Sequence, residues 1–408
     1  MALGDLVGKF GWPPIRRIGV VILTLLLAAG CGAPSAATSH AAPSPPVAHP
    51  GAPHQLVPRP LMGQALSVLQ MGTESWLAVK TPHGIVVTMA QGQRRTESTV
   101  PSAATCSAAG ALQAAGSTPL VMGCTQVWLR HNHRWVPTKL PADLGGRQDF
   151  IVDGSQWWLL GFGAGASGGE GVTLWHSPNA GGTWDLVAGS GHGLTSQPPG
   201  SLPYYGDKTG LAASPAQDLW LTGSMAGEGA VWLYRAAPGG KTWTAVSPAV
   251  PQAWWLAQLT SYPPVWASAR QGYLPVAVDG TQFTGIAVYA ASGSKTPWAL
   301  AAALPAPAVM SSSLSLAASA PGSVWITIGR NLWASADGGR DWRVTWRLTP
   351  GWTFAAISFS GRNNGALLAT RRQGTTFAYA AWQTANGGRT WTNRIEDRST
   401  GCPLRPIS

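Results

Sequence analysis

His131 and His133 stand two apart, so on an extended strand both would point to one face. That is the smallest beginning of a metal site, but no Cys or carboxylate lies near them in the chain, and they read as solvated turn residues. Carboxylate chemistry is limited by supply. The glutamates are Glu74, Glu97, Glu170, Glu228 and Glu396, and a two-carboxylate hydrolase needs a pair facing across a cleft, which no local spacing here provides. There is no nucleophile motif, phosphate-binding loop or cofactor fingerprint. The expected set of catalytic residues, metals and cofactors is therefore empty. What remains is recognition chemistry. Tyr204, Tyr205, Trp254, Trp255 and Tyr273 as aromatics, Glu170 and Asp207 as acids, and Arg371 and Arg372 as bases fall in stretches that read as elaborated loops. Large amphipathic rings beside a few charges suit a protein or glycan surface.

The elements that must position these residues are set by a repeat. Ser335-Ala-Asp-Gly-Gly-Arg-Asp-Trp342 has relatives at Ser177-Pro-Asn-Ala-Gly-Gly-Thr-Trp184 and Thr384-Ala-Asn-Gly-Gly-Arg-Thr-Trp391. Each reads hydroxyl, spacer, Asn or Asp, glycine, tryptophan. A decayed copy, Ala236-Ala-Pro-Gly-Gly-Lys-Thr-Trp243, keeps Gly240, Thr242 and Trp243. Asn179, Asp337 and Asn386 can accept from backbone amides two residues on and tolerate left-handed conformations, while the glycines that follow, among them Gly181, Gly339 and Gly388, supply positive φ, so each copy is a turn. An aromatic strand precedes it and the tryptophan opens the next, with Ser177, Thr183, Ser335, Thr384 and Thr390 as the hydroxyls of the turn. The pattern resembles the Asp-box, or BNR repeat, of sialidases, sortilin-type receptors and photosystem II assembly factor propellers. In those families the box is structural. Sialidase machinery would further require an arginine triad, a tyrosine paired with a glutamate, and an aspartate; no N-terminal arginine motif of that kind is present.

Walking the repeat gives the architecture. Trp135, Trp184, Trp243, Trp298, Trp342 and Trp391 open outer strands at roughly 44 to 59 residues, the period of propeller blades. Trp76, Trp158, Trp220, Trp266 and Trp325 fall on second strands. The expected fold is all-β, a β-propeller of four-stranded antiparallel blades over 63–398, with seven blades; the first, from Ala65 to Val100, lacks the box. In such blades the boxes crowd one face, and the turns between second and third strands share the other with the links between blades. The long stretches expected on that second face are Gly161 to Gly171, Gly189 to Asp207, Ser247 to Leu256, Ala267 to Gly285 and Thr370 to Thr375, placing the partner surface over the third to fifth blades.

The ends carry export and anchoring signals. Lys9, Arg16 and Arg17 precede an apolar run from Ile18 to Ala29, short for a membrane span of about 20 residues. Residues 1–30 thus read as a signal peptide, and Ala28-Ala-Gly-Cys31 resembles a lipobox whose Cys31 is acylated. The stretch 31–62, rich in Ala, Pro and Ser, reads as a disordered tether, and 399–408 as a tail. Cys106 and Cys124 sit on what reads as one hairpin, a plausible disulfide in an exported protein, with Cys402 the competing partner. The formal charge is +11, yet no basic run is interleaved with aromatics, so nucleic acid is not an expected partner. The expectation is a monomeric, membrane-tethered, extracytoplasmic, non-catalytic platform for a protein or glycan partner; the alternative is a secreted glycoside hydrolase.

Overall fold

The computed structural model describes residues 54–56, 61–62, 64–81, 84–92, 94–100, 112–122, 126–141, 144, 147–166, 169–191, 198–227, 229–306, 314–374 and 376–393. The expected export segment, Cys31, the expected Cys106–Cys124 pair and the tail lie outside the described residues. All described residues belong to the compact unit Ala52–Ser408. Among them no helix is long and apolar enough to cross a membrane.

The described strands sort into seven antiparallel sets. The first is Gln64–Met71, Glu74–Thr81, Gly84–Gln91 and Arg94–Val100; the second runs from Leu112–Ala115 to Arg134–Lys139. The third contains Arg147–Asp153, Gln156–Ala166, Gly169–Ser177 and Asp185–Ser190, and the fourth Asp207–Ala213, Leu219–Ser224, Leu233–Ala236 and Trp243–Ala245. In the fifth, a broken inner strand, Gln258–Ser261 and Val265–Ser268, pairs with Gln271–Asp279, followed by Thr284–Ala291 and Ala299–Pro305. The sixth is Leu314–Ala320, Ser323–Ile328, Asn331–Ser335 and Arg343–Leu348; the seventh is Thr353–Ser360, Asn364–Gln373 and Thr376–Thr384 with short Thr392–Asn393. A single bridge, Ser224 to Thr260, connects the fourth and fifth. Trp266 therefore lies on an inner strand, not on the expected second strand.

Packing explains why the inner strands are so apolar. Each buried cluster is shared by two consecutive blades: Trp76 and Val87 meet Leu112 and Val121, Met122 and Val127 meet Phe150 and Trp157, and Trp158 and Leu174 meet Leu211 and Trp232. The series continues through Trp220 with Leu274, Val288 with Val324 and Trp325 with Phe354. It closes where Val68 and Leu77 of the first blade meet Leu368 and Ala381 of the last. A blade is thus covered on both sides, and a second strand such as Leu219–Ser224 is buried almost throughout rather than alternating. The outer strands Arg94–Val100 and Arg134–Lys139 behave oppositely, being largely exposed and carrying charges such as Arg94, Glu97, Arg134 and Lys139, which blunts the sheet edge.

Side chains also stitch the inner strands. The Leu211 amide donates to Asp149 Oδ2 at 2.6 Å, the Ile357 amide to Ser315 Oγ at 3.3 Å and the Gln70 amide to Ser358 Oγ at 3.0 Å. The last of these joins the first blade to the seventh.

The stretch read as a tether contributes to the sheets. His54–Leu56 pairs in parallel with Arg343–Leu348, and Leu61–Met62 pairs with Tyr379 and Ala378 of the seventh blade. Thr392–Asn393 covers the same strand at Gln383 and Trp382. Leu61–Met62 and Thr392–Asn393 therefore share the outer position of the last blade. Composition concealed this because backbone pairing alone, without an apolar payload, suffices for a seam.

Candidate functional site

The glycine-tryptophan turns build one face. In the third blade the Gly181 amide donates to Ser177 Oγ at 2.8 Å, the Ser177 hydroxyl to Asn179 Oδ1 at 3.0 Å and the Thr183 amide to the same oxygen at 2.8 Å. The sixth and seventh blades repeat it, so the Asn or Asp oxygen is reached by the amide four residues on, not the expected two, because the glycines bring the chain back over the side chain. Gly339 and Gly388 amides reach Ser335 Oγ and Thr384 Oγ1 at 2.9 and 3.0 Å, and Asp337 and Asn386 accept from residues 341 and 390 at 3.0 and 2.9 Å. Hydrogen bonds from the Ser335 hydroxyl and the Asp341 amide hold the Asp337 carboxyl below its usual range. The decayed copy keeps only the core of the device: Gly240 donates to Ala237 O at 3.1 Å and accepts from Trp243 Nε1 at 2.9 Å. These residues spend their polar groups on the turn itself.

The turn-closing tryptophans are not the most buried rings of the blades. Trp157 and Trp220 are fully buried, whereas Trp184 and Trp342 are half-buried and Trp391 is buried. A second strand has a blade on either side, while a turn has solvent on one. His131 and His133 lie at a tight hairpin, with Asn132 and His133 at positive φ of 47° and 63°, and both are exposed. Among the described residues no group of three His, Cys, Asp or Glu converges.

From the opposite face, formed by second-to-third turns and blade links, open space reaches along the fourth blade to Trp243, which closes the decayed turn of the first face. A cleft of about 460 Å³ runs between the link Ser201 to Tyr205 on one side and Tyr234 and Trp243 on the other, with Met225 and Trp232 completing it. Tyr204 and Tyr205 pack edge to face at 5.4 Å, and Trp232 and Tyr234 lie 4.7 Å apart. Tyr205 is 63% exposed.

Lys208, buried beneath this wall, holds it in place. Its Nζ donates to Tyr204 O at 2.6 Å, Gly206 O at 2.8 Å and Glu170 O at 3.0 Å, while its amide donates to Glu170 Oε2 at 3.1 Å. The ammonium also sits 5.6 Å from the Trp232 ring. Burial pushes its pKa down to about 8, against the pull of the Glu170 and Asp207 carboxylates. The link is further fixed by the Leu202 amide on Gly189 O at 3.0 Å. Gly206 has φ of 85°, and a Cβ there would strike Ser224 O and the Trp232 ring at 2.8 Å, so only glycine lets the link fold this closely over the blade.

Of the candidate surface residues, Glu170, Tyr204, Tyr205 and Asp207 thus gather at one place, with Asp207 exposed. Trp255 is 58% exposed and Leu256 fully so; their loop lies on the same face, with the Trp255 backbone against Gly229. Two candidates are corrected. Tyr273 is fully buried and lies beside Gly339 of the next blade's turn, because the expected loop Ala267 to Gly285 contains the strand Gln271–Asp279. Trp254 is buried and stacks on Phe283 at 5.2 Å, since the short helix Gln252–Trp254 turns it inward. Gly161 to Gly171 is likewise mostly strand. Arg371 and Arg372 belong to the seventh blade, where Arg371 covers the Trp352 ring at 5.0 Å and Arg372 Nε donates to Gly374 O at 3.1 Å. Lys208, Trp232 and Tyr234 were missed as site residues. The signal for Lys208 was a lysine inside an apolar inner strand; for the two rings it was only their nearness to a link whose path the sequence did not reveal.

No family model matches the chain, and no curated protein matches it. Solved structures do. The chain is similar to the propeller domain of the Trilobed protease from Pyrococcus furiosus, at 7% identity and a TM-score of 0.51 over 82% of this chain and 99% of that one. It is similar to Pyrococcus horikoshii acylaminoacyl peptidase, at 8% identity and 0.53, covering 83% of this chain and 53% of that one. A third is the extracellular domain of the putative hybrid two component system BT4673 from B. thetaiotaomicron, at 11% and 0.50, covering 78% and 38%. The chain therefore spans about half the peptidase and less than half of that extracellular domain. At these identities the likeness is one of fold. The chain is a β-propeller of four-stranded antiparallel blades.

Proposed function

We propose that this protein is an extracytoplasmic lipoprotein whose Asp-box propeller of seven blades serves as a non-catalytic capture or assembly platform for a protein or glycan partner, working through the link face over the third to fifth blades. The observation that carries this reading is the exposure of Tyr205, Trp255 and Leu256 around the fourth blade beside a roomy cleft, since clustered exposed rings on an ordered scaffold mark interaction sites. The anchoring half rests on the charged start, the apolar run and Cys31.

Capture from solubilised envelope with the purified full chain tests the reading. A partner retained by the wild type and lost from Tyr205→Ala combined with Trp255→Ala is the expected result. Equal loss from Arg340→Ala combined with Arg389→Ala, on the turn face, would overturn it. Mass spectrometry of the mature N-terminus decides the anchor separately, and a chain that does not begin at a lipidated Cys31 would remove that part.

A further inference from the structure

We infer that the cleft between the third and fourth blades is a subsite for uncharged pyranose units of an oligosaccharide or polysaccharide; this rests on the binding-platform reading above and names its ligand class. Three features select that chemistry. The first is ring geometry. Tyr204 and Tyr205 stand on the link, and Tyr234 and Trp243 on the blade, with Trp232 between them. A pyranose presents a flat C–H face that packs on such rings and a rim of hydroxyls that exchanges hydrogen bonds with phenol oxygens and Ser201.

The second feature is charge. In a chain of formal charge +11, the residues lining the cleft are all uncharged. A phosphodiester chain needs cations along its path, and the lining offers none. A quaternary ammonium would seek the ring faces, but the Lys208 ammonium already lies 5.6 Å from Trp232 and opposes a second positive charge. The third feature is preorganisation. Lys208 holds Tyr204 O and Gly206 O at 2.6 and 2.8 Å, so the wall bearing Tyr205 is fixed before ligand arrives, and binding orders little that is not already ordered. The volume of about 460 Å³ falls in the range of small-molecule sites.

The test is electrophoresis of the full chain, in mild detergent, through native gels containing hydroxyethyl cellulose, dextran or α-mannan, with alginate as the acidic comparison. Retardation by at least one neutral polymer is expected, weakened tenfold or more by Tyr205→Ala and by Trp243→Ala. Tyr205 is an exposed side chain whose removal leaves the core intact; Trp243 also closes a turn, so its variant is read only if its melting temperature is retained. Val136→Ala, on the exposed outer strand of the second blade and away from the cleft, should leave retardation unchanged. The inference is overturned if none of the neutral polymers retards the chain, if Tyr205→Ala migrates as the wild type does, or if alginate alone retards it and salt abolishes the effect. Capture of an envelope partner without neutral-polymer retardation would overturn this ligand class and leave the platform reading standing.

Discussion

Trp220 and Trp342 look interchangeable in the sequence, each an aromatic in a glycine-punctuated blade, but their surroundings make them unequal. Trp220 lies between the Trp266 and Trp298 rings, at 6.2 and 5.4 Å, with no exposure; Trp342 is half-buried and anchored by its Nε1 on Gly339 O at 2.8 Å. Trp220→Ala should therefore cost about 3 to 5 kcal/mol and Trp342→Ala roughly half of that, in proportion to the area each buries; denaturant titration gives the order. Lys208 makes a different kind of prediction. Its folded pKa is about 8 against 10.5 when free, so between those values the unfolded chain holds a proton that the folded chain has released. Stability from this group is complete above 10.5 and is lost as pH falls through 8. The melting temperature of the wild type, measured relative to Lys208→Met, should rise between pH 8 and pH 10.5. Tyr273 and Tyr289, pushed up to about 12 by burial, work in the opposite sense: their contribution is held below pH 10 and lost as pH rises through 12. They are common to both proteins and leave the comparison clean. A difference that stays flat across the range would contradict the reading of Lys208.

The turn is the element in which sequence and structure agree most closely. Its polar residues act within a few positions of themselves, so the grammar of Ser177, Asn179 and Gly181 is enough to specify the bonds that form. Gly181 is required twice over: its φ is 84°, and a Cβ would strike Thr138 and Trp157 at 2.6 and 2.7 Å. Gly181→Ala should destabilise by about 2 kcal/mol or more, from left-handed strain plus overpacking. The neighbouring Ala180 occupies φ of 55°, where the corresponding turns hold Gly338 and Gly387, so Ala180→Gly should be neutral or stabilising by up to about 1 kcal/mol. Thermal denaturation of the two variants should thus move in different directions, and a fall of similar size for both would refute the argument. The cleft was less legible because its walls are remote in sequence. Tyr205 could be flagged from composition, but Tyr234 and Trp243 face it only because the link pairs beside Asp185–Ser190 before crossing to the fourth blade. Tyr273 and Trp254 failed for the same reason in reverse, since an aromatic in an apparently loop-like stretch is exposed only if no strand or helix turns it inward.

At the scale of the whole molecule, stability depends on the seam. Seven layers of apolar contact link consecutive blades among the described residues, and most join blades that are also adjacent in sequence. The layer between the first and seventh is different, because Val68 and Leu77 must find Leu368 and Ala381 across almost the entire chain. Side chains reinforce it, with Gln70 and Gly72 amides on Ser358 Oγ and Ser360 Oγ at 3.0 and 2.9 Å. The outer edge there is covered by two short pieces, Leu61–Met62 and Thr392–Asn393, on the strand Thr376–Thr384. Removing residues 1–51 leaves both pieces in place and should not change the melting temperature. Extending the deletion to residue 62 strips His54–Leu56 from the sixth blade and Leu61–Met62 from the seventh, leaving Ala378 and Tyr379 paired only on their inner side, with Arg371 and Thr370. The lost bonds are few, at about 1 kcal/mol each, but they lie where closure of a long loop is already unfavourable, so the loss should be felt locally first. Hydrogen exchange should speed up at Thr376–Thr384 and Thr353–Ser360 while Leu219–Ser224 and Gln271–Asp279 stay protected. Uniform acceleration across all blades would show instead that the ring opens as one unit, and unchanged exchange at Thr376–Thr384 would show that the N-terminal strand contributes nothing to the seam.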